Sequence, residues 1–114
     1  MKYLDHEYLV PIIIGSGKNA TRAAKKIKKS TGVDVHIFAE KFSFLQRMKY
    51  RCHKVSPLKA DFLKMSLASF AASLEEYYFP VIILCGDTSD ILVSERLEAF
   101  ESAFVVVRYD EIIC

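Results

Sequence analysis

Two apolar runs, each stopped by a glycine, leave this chain few ways to fold. The first is Leu9-Val10-Pro11-Ile12-Ile13-Ile14, followed by Gly15-Ser16-Gly17-Lys18-Asn19-Ala20. The second is Pro80-Val81-Ile82-Ile83-Leu84, followed by Cys85-Gly86-Asp87. Apolar residues at consecutive rather than alternate positions mark a strand buried on both faces, and such strands belong to parallel sheets covered by helices. Pro11 cannot donate to a ladder, so the regular part of the first strand is expected from about Pro11 or Ile12. In an open parallel sheet both glycine turns lie at the carboxyl ends of strands, where such sheets bind ligands.

The segments between these runs supply the helices and the other strands. A helix is expected from Lys18 or Asn19 to about Ser30, with Ala20, Ala23, Ala24 and Ile27 on its inner face and Gly32 as a left-handed cap. Val33 to Ala39 reads as the second strand, completing a βαβ unit. A short helix over Phe42 to Tyr50 and a short strand from His53, stopped at Pro57, come next. Leu63, Leu67, Phe70, Leu74 and Tyr77 form one stripe and predict a helix from about Lys59 to Tyr78. Asp87, Thr88, Ser89 and Asp90 offer N-caps for a helix reaching about Ser102, with Val93, Leu97 and Phe100 inward. Phe104 to Val107 is a last strand, and Asp110 to Cys114 reads as the start of another helix. Strands alternating with helices predict one domain over residues 1–114. Its expected architecture is an α/β three-layer sandwich, a Rossmann-like, mostly parallel sheet of about five strands.

Composition narrows the function classes. With 114 residues, 52% hydrophobic and 26% charged, the chain is of ordinary globular type. No apolar run approaches the roughly 18 residues of a membrane span, and the charged N-terminus lacks the apolar core of a signal peptide. Cys52, Cys85 and Cys114 form no C-x-x-C pair, which fits reduced thiols in a cytoplasm. Residues 1–64 hold 14 Lys and Arg against 5 Asp and Glu, whereas residues 65–114 hold 2 against 9. The halves are thus +9 and −7. The simplest reading is solvated helix faces that attract each other across the fold; the other is a basic face for phosphates or nucleic acid. No aromatic-interleaved basic motif accompanies the lysines, so nucleic acid is not the expected partner.

The first turn fits G-x-G-x-x-A, with Glu40 about 20 residues further on at the end of the second strand. That is the form of a dinucleotide fingerprint, in which a helix N-terminus takes phosphate and a carboxylate takes ribose. A turn after an apolar strand also favours glycine whatever it binds. Asn19 stands where a Walker loop needs Ser or Thr after lysine. Asp87 reads as an N-cap or as a group orienting a substrate amine, and Cys85 as a small buried hydrophobe. His6, His36 and His53 lie on unrelated segments, so neither a nucleophile–base pair nor a metal site is expected.

Taken together the segments resemble the N-terminal, pre-ATP-grasp domain of ATP-grasp ligases, in particular the D-aspartate ligase-like carboxylate–amine branch. The resemblance rests on Leu9 to Gly15, on Lys49-Tyr50-Arg51-Cys52-His53-Lys54-Val55, and on Leu84-Cys85-Gly86-Asp87. The Leu92 to Glu98 helix and the Phe104 to Glu111 exit with its Tyr109-Asp110-Glu111 complete it. It spans about residue 8 to 114. Two departures, Lys18 after the first glycine turn and Leu84 where proline is common, leave the substrate open. The resemblance implies a non-catalytic, substrate-side domain with no catalytic residue of its own. ATP and magnesium would be bound by ATP-grasp domains elsewhere, and the strand-end loops Gly15 to Asn19 and Cys85 to Asp87 would face the cleft. It also implies an ATP-grasp partner, with self-association through the exposed docking face as a consequence. A free-standing Rossmann-type nucleotide-binding or regulatory module, resting on Gly15, Gly17 and Glu40, is the alternative.

Overall fold

In a computed structural model, which describes residues 8–86 and 90–108, the chain forms a five-stranded, all-parallel sheet. The strands are β1 (Leu9–Ile14), β2 (His36–Ala39), β3 (Arg51–Lys54), β4 (Phe79–Leu84) and β5 (Val105–Arg108). Their spatial order is β3-β2-β1-β4-β5. The chain therefore builds outward from β1 in one direction, returns to the centre with β4, and builds outward in the other. That reversal places the C-terminal ends of β1 and β4 side by side at the topological switch point.

The apolar runs behave as double-sided strands. Leu9, Ile13, Val81 and Ile83 face one layer; Val10, Ile12, Ile14 and Ile82 face the other. Ile12, Ile13 and Ile82 are completely or almost completely buried, each contributing roughly 1.5–3 kcal/mol of transfer free energy. On the first face lies α1 (Lys18–Thr31), whose Ala20, Ala23, Ala24 and Ile27 meet the sheet. Phe42 and Tyr50, which flank α2 (Phe44–Lys49), join the same cluster. On the second face lie α3 (Ala60–Ala72), α4 (Asp90–Ser94) and α5 (Leu97–Glu101), through Leu63, Leu67, Val93 and Phe100. This is the expected three-layer arrangement.

Pro11 sits inside β1 rather than at its start. The ladder itself explains why it is tolerated. The Gly15 N–H donates to the Phe38 carbonyl at 2.8 Å, so by alternation the amide positions of residues 13 and 11 also face β2. Pairing of β1 with β2 begins only at Ile12. The missing N–H of Pro11 therefore falls ahead of that ladder, while the residue still holds its place opposite Val81 of β4.

Several boundaries differ from the sequence expectation. β3 runs over Arg51–Lys54, two residues earlier than expected, because it takes its register from β2, with His36 opposite Arg51. α3 ends at Ala72, and Tyr77 is 56% exposed rather than inward. The expected helix to Ser102 is two short helices. Arg96 leaves helical geometry at φ −131°, ψ 41°, and Leu97 turns outward while Val93 and Phe100 stay buried. The expected helix over Asp110–Cys114 lies outside the described residues.

Candidate functional site

Gly15 adopts φ 98° and turns the chain from β1 toward α1, a conformation that favours glycine. Gly17, at φ −73° and ψ −175°, is the N-cap of α1 and needs no left-handed geometry. Its carbonyl accepts from the Thr21 N–H at 3.0 Å and from the Thr21 hydroxyl at 3.1 Å. Gly17 brings no capping side chain of its own, and the first turn of α1 holds no acidic residue. The N-terminal end of a helix carries positive potential.

The second turn lies against the first. Asn19 Nδ2 donates to the Gly86 carbonyl at 3.1 Å, joining residues 67 apart in the chain. Gly86 has φ 84°, and a side chain there would touch Asn19 Nδ2. Cys85 is half-buried against the α1-side core, as a small hydrophobe would be. Gly15, Ser16, Gly17, Lys18, Asn19, Cys85 and Gly86 thus share one rim at the switch point, whereas Asp87 lies outside the described residues. Lys18 is exposed on that rim.

Glu40 does not join it as a free carboxylate. It follows β2, and its Oε1 accepts the Leu58 N–H at 3.1 Å, which pins the loop ahead of α3. A local structural duty accounts for this residue.

Gln46 is the residue that sequence reasoning passed over. It is the buried polar side chain of the described residues, 3% exposed. Its Nε2 donates to the Ser16 carbonyl at 3.0 Å and to the Thr21 hydroxyl at 2.8 Å. Its Oε1 accepts the Ser43 N–H at 2.9 Å, while Ser43 Oγ accepts the Gln46 N–H at 3.2 Å. The Ser43-x-x-Gln46 capping box was readable in the sequence; that its amide would reach across to brace the glycine turn was not.

Two scattered histidines also meet. With Phe38 opposite His53 in the β2–β3 register, His36 Nδ1 lies 2.9 Å from His53 Nε2. Phe38 stacks on His53 at 4.4 Å, and Phe70 of α3 closes the group from the other side. Burial lowers the pKa of His36 to about 4, assisted by the charge of His53, and burial also lowers that of His53. The pair is neutral at neutral pH, with one imidazole donating and the other accepting. Among the described residues no third His, Cys, Asp or Glu joins to form a metal-binding group.

The charge asymmetry is not resolved inside the fold. Among the described residues Asp34 lies beside Lys28 at 3.9 Å and Arg51 at 3.4 Å, all within the basic half. Among the described residues the ion pair between halves joins Arg96 to Asp61, a cation of the acidic half and a carboxylate of the basic half. Among the described residues no lysine or arginine of residues 8–64 pairs with a carboxylate of the acidic half, and these cations lie on the surface. Four of them, Lys41, Arg47, Arg51 and Lys54, gather beside β3. There Glu40, Lys41, Phe42, Arg47, Tyr50, Arg51, Cys52, His53 and Lys54 line an open depression of about 730 Å³.

No helix among the described residues is long and apolar enough to cross a membrane. Compared with known proteins, the chain matches no family model, no curated protein and no solved structure.

Proposed function

We propose that this domain is the substrate-side, pre-ATP-grasp domain of an ATP-grasp carboxylate–amine ligase, non-catalytic by itself and working in the cytoplasm. The observation that carries the reading is the Asn19–Gly86 hydrogen bond, which fuses the two strand-end turns into one rim at the switch point. In such a ligase ATP and magnesium, held by ATP-grasp domains, activate a carboxylate as an acyl phosphate. The role of this chain's residues is to orient the non-nucleotide substrate. The positive end of α1, whose first turn holds no acidic residue, favours a carboxylate there together with Lys18, and the Gly86 turn bounds the other side.

An exposed apolar face supports a partner. Phe44, Leu45 and Met48 on α2 are 75%, 62% and 68% exposed. A cluster of that kind is rarely left in water, and ATP-grasp domains or a second copy of the chain would cover it. The rival reading, a free-standing nucleotide-binding module, draws on G-x-G-x-x-A and Glu40, and the hydrogen bond from the Leu58 N–H to one Glu40 oxygen weighs against it. A turnover assay on the purified chain with ATP and magnesium is expected to show no ligation; ligation by this polypeptide alone overturns the proposal. Thermal melts with NAD(H) or ATP separate the rival. A saturable rise in melting temperature that Gly17→Val abolishes would establish the nucleotide-binding module instead.

A further inference from the structure

We propose that the depression beside β3 is a second ligand site, distinct from the glycine rim, that takes a small multiply charged phosphate such as a diphosphate group. Its walls carry Lys41 from the loop after β2, Arg47 from α2, and Arg51 and Lys54 from β3. Four cations from three segments converge there against one carboxylate, Glu40, which already accepts the Leu58 N–H. Lys41, Arg47 and Lys54 have no ion-pair partner among the described residues, and Arg51 reaches Asp34 only at 3.4 Å with its side chain 68% exposed. Converging cations without internal partners gain most from an anion that answers several of them at once.

The depression is open to solvent but has room for a small ligand. Its volume of about 730 Å³ lies in the usual range of small-molecule sites, roughly 300–1,000 Å³. Tyr50 and Phe42, both packed into the α1-side core, give it a rigid apolar floor. The backbone adds donors. The Arg51 N–H donates to the Val35 carbonyl and the Val55 N–H to the Ala39 carbonyl, so by alternation the N–H groups of Cys52 and Lys54 point away from β2, toward the open edge. An anion in the depression meets those two donors as well as the side chains. Burial holds the Cys52 thiol above its ordinary pKa, although Arg47 pulls the other way, so it adds no negative charge.

The test is an amide chemical-shift titration of the intact chain with inorganic pyrophosphate. Saturable shifts centred on residues 41, 47 and 51–54, unchanged in Gly17→Val, are expected. Arg47→Glu/Lys54→Glu should weaken binding by roughly tenfold or more, since two attractions become repulsions. Lys41→Gln/Lys54→Gln, a milder change at exposed positions, should weaken it several-fold and guards against a folding defect in the first variant. Shifts confined to residues 15–19, or linear shifts spread over all lysines without saturation, overturn the proposal. So does binding of a single-stranded oligonucleotide or of phosphatidylglycerol vesicles with no saturable response to pyrophosphate.

Discussion

At the centre of the sheet all six residues of β1 are buried, whereas none of the four residues of β3 is. The two strands are only one strand apart, yet they meet different demands. β1 is paired on both sides and covered on both faces, so every position must be apolar. β3 is an edge, and Arg51 and Lys54 leave it charged, which discourages another chain from adding to it. The central region gains stability from burial and places the glycine rim. The edge contributes little to the core and is free to carry chemistry: the histidine pair on one face and the cationic depression beside it.

Four perturbations sharpen this contrast, beginning with the largest. Ile13→Ala at the centre should cost about 2–5 kcal/mol in chemical denaturation, and Lys54→Ala at the edge under about 0.5 kcal/mol; equal losses would erase the distinction. Gln46→Ala, between the two regions, leaves the Ser16 carbonyl and the Ser43 N–H without their buried partner, and should cost about 1–3 kcal/mol. Its hydrogen-exchange signature should be faster opening at residues 16–21, and protection there equal to the parent would remove Gln46 from its bracing role.

Acid should act on the edge first. The folded pKa of His36 lies near 4 against 6.5, and that of His53 is lowered too. The unfolded chain therefore binds more protons in this window, and stability is complete above about 6.5 and falls as pH drops toward 4. After allowance for partial exposure the loss is roughly 1–2 kcal/mol. Melting temperatures of the parent and of His36→Phe across that range check it, since the variant should lose much of the slope. Asn19→Ala should cost about 0.5–1.5 kcal/mol by removing one hydrogen bond at the surface of the rim, more than Lys54→Ala alone among these variants. Its melting curve should shift by no more than a few degrees, and a loss as large as that of Ile13→Ala would mean the rim belongs to the core.

Much of the centre was legible in the chain. The runs Leu9–Ile14 and Pro80–Leu84, the alanine face of α1 and the Gly32 cap each follow from a pattern confined to a few neighbouring residues. The break at Arg96 was not legible, because Val93, Leu97 and Phe100 keep a helical spacing that tertiary packing overrides. Nor was the duty of Glu40, whose spacing from Gly15 suits a ribose ligand and whose actual partner is the Leu58 amide.

The sequence by itself determined a parallel α/β sheet, its two central strands and the positions of both glycine turns, since burial on both faces and left-handed turns are written in local composition. Only the tertiary structure decided that Asn19 would reach Gly86, that Gln46 would brace the turn, that His36 would face His53, and that four cations would converge beside β3. These are relations of register between segments far apart in the chain. Each depends on which strands become neighbours and by how many residues they are offset, and no local pattern encodes that.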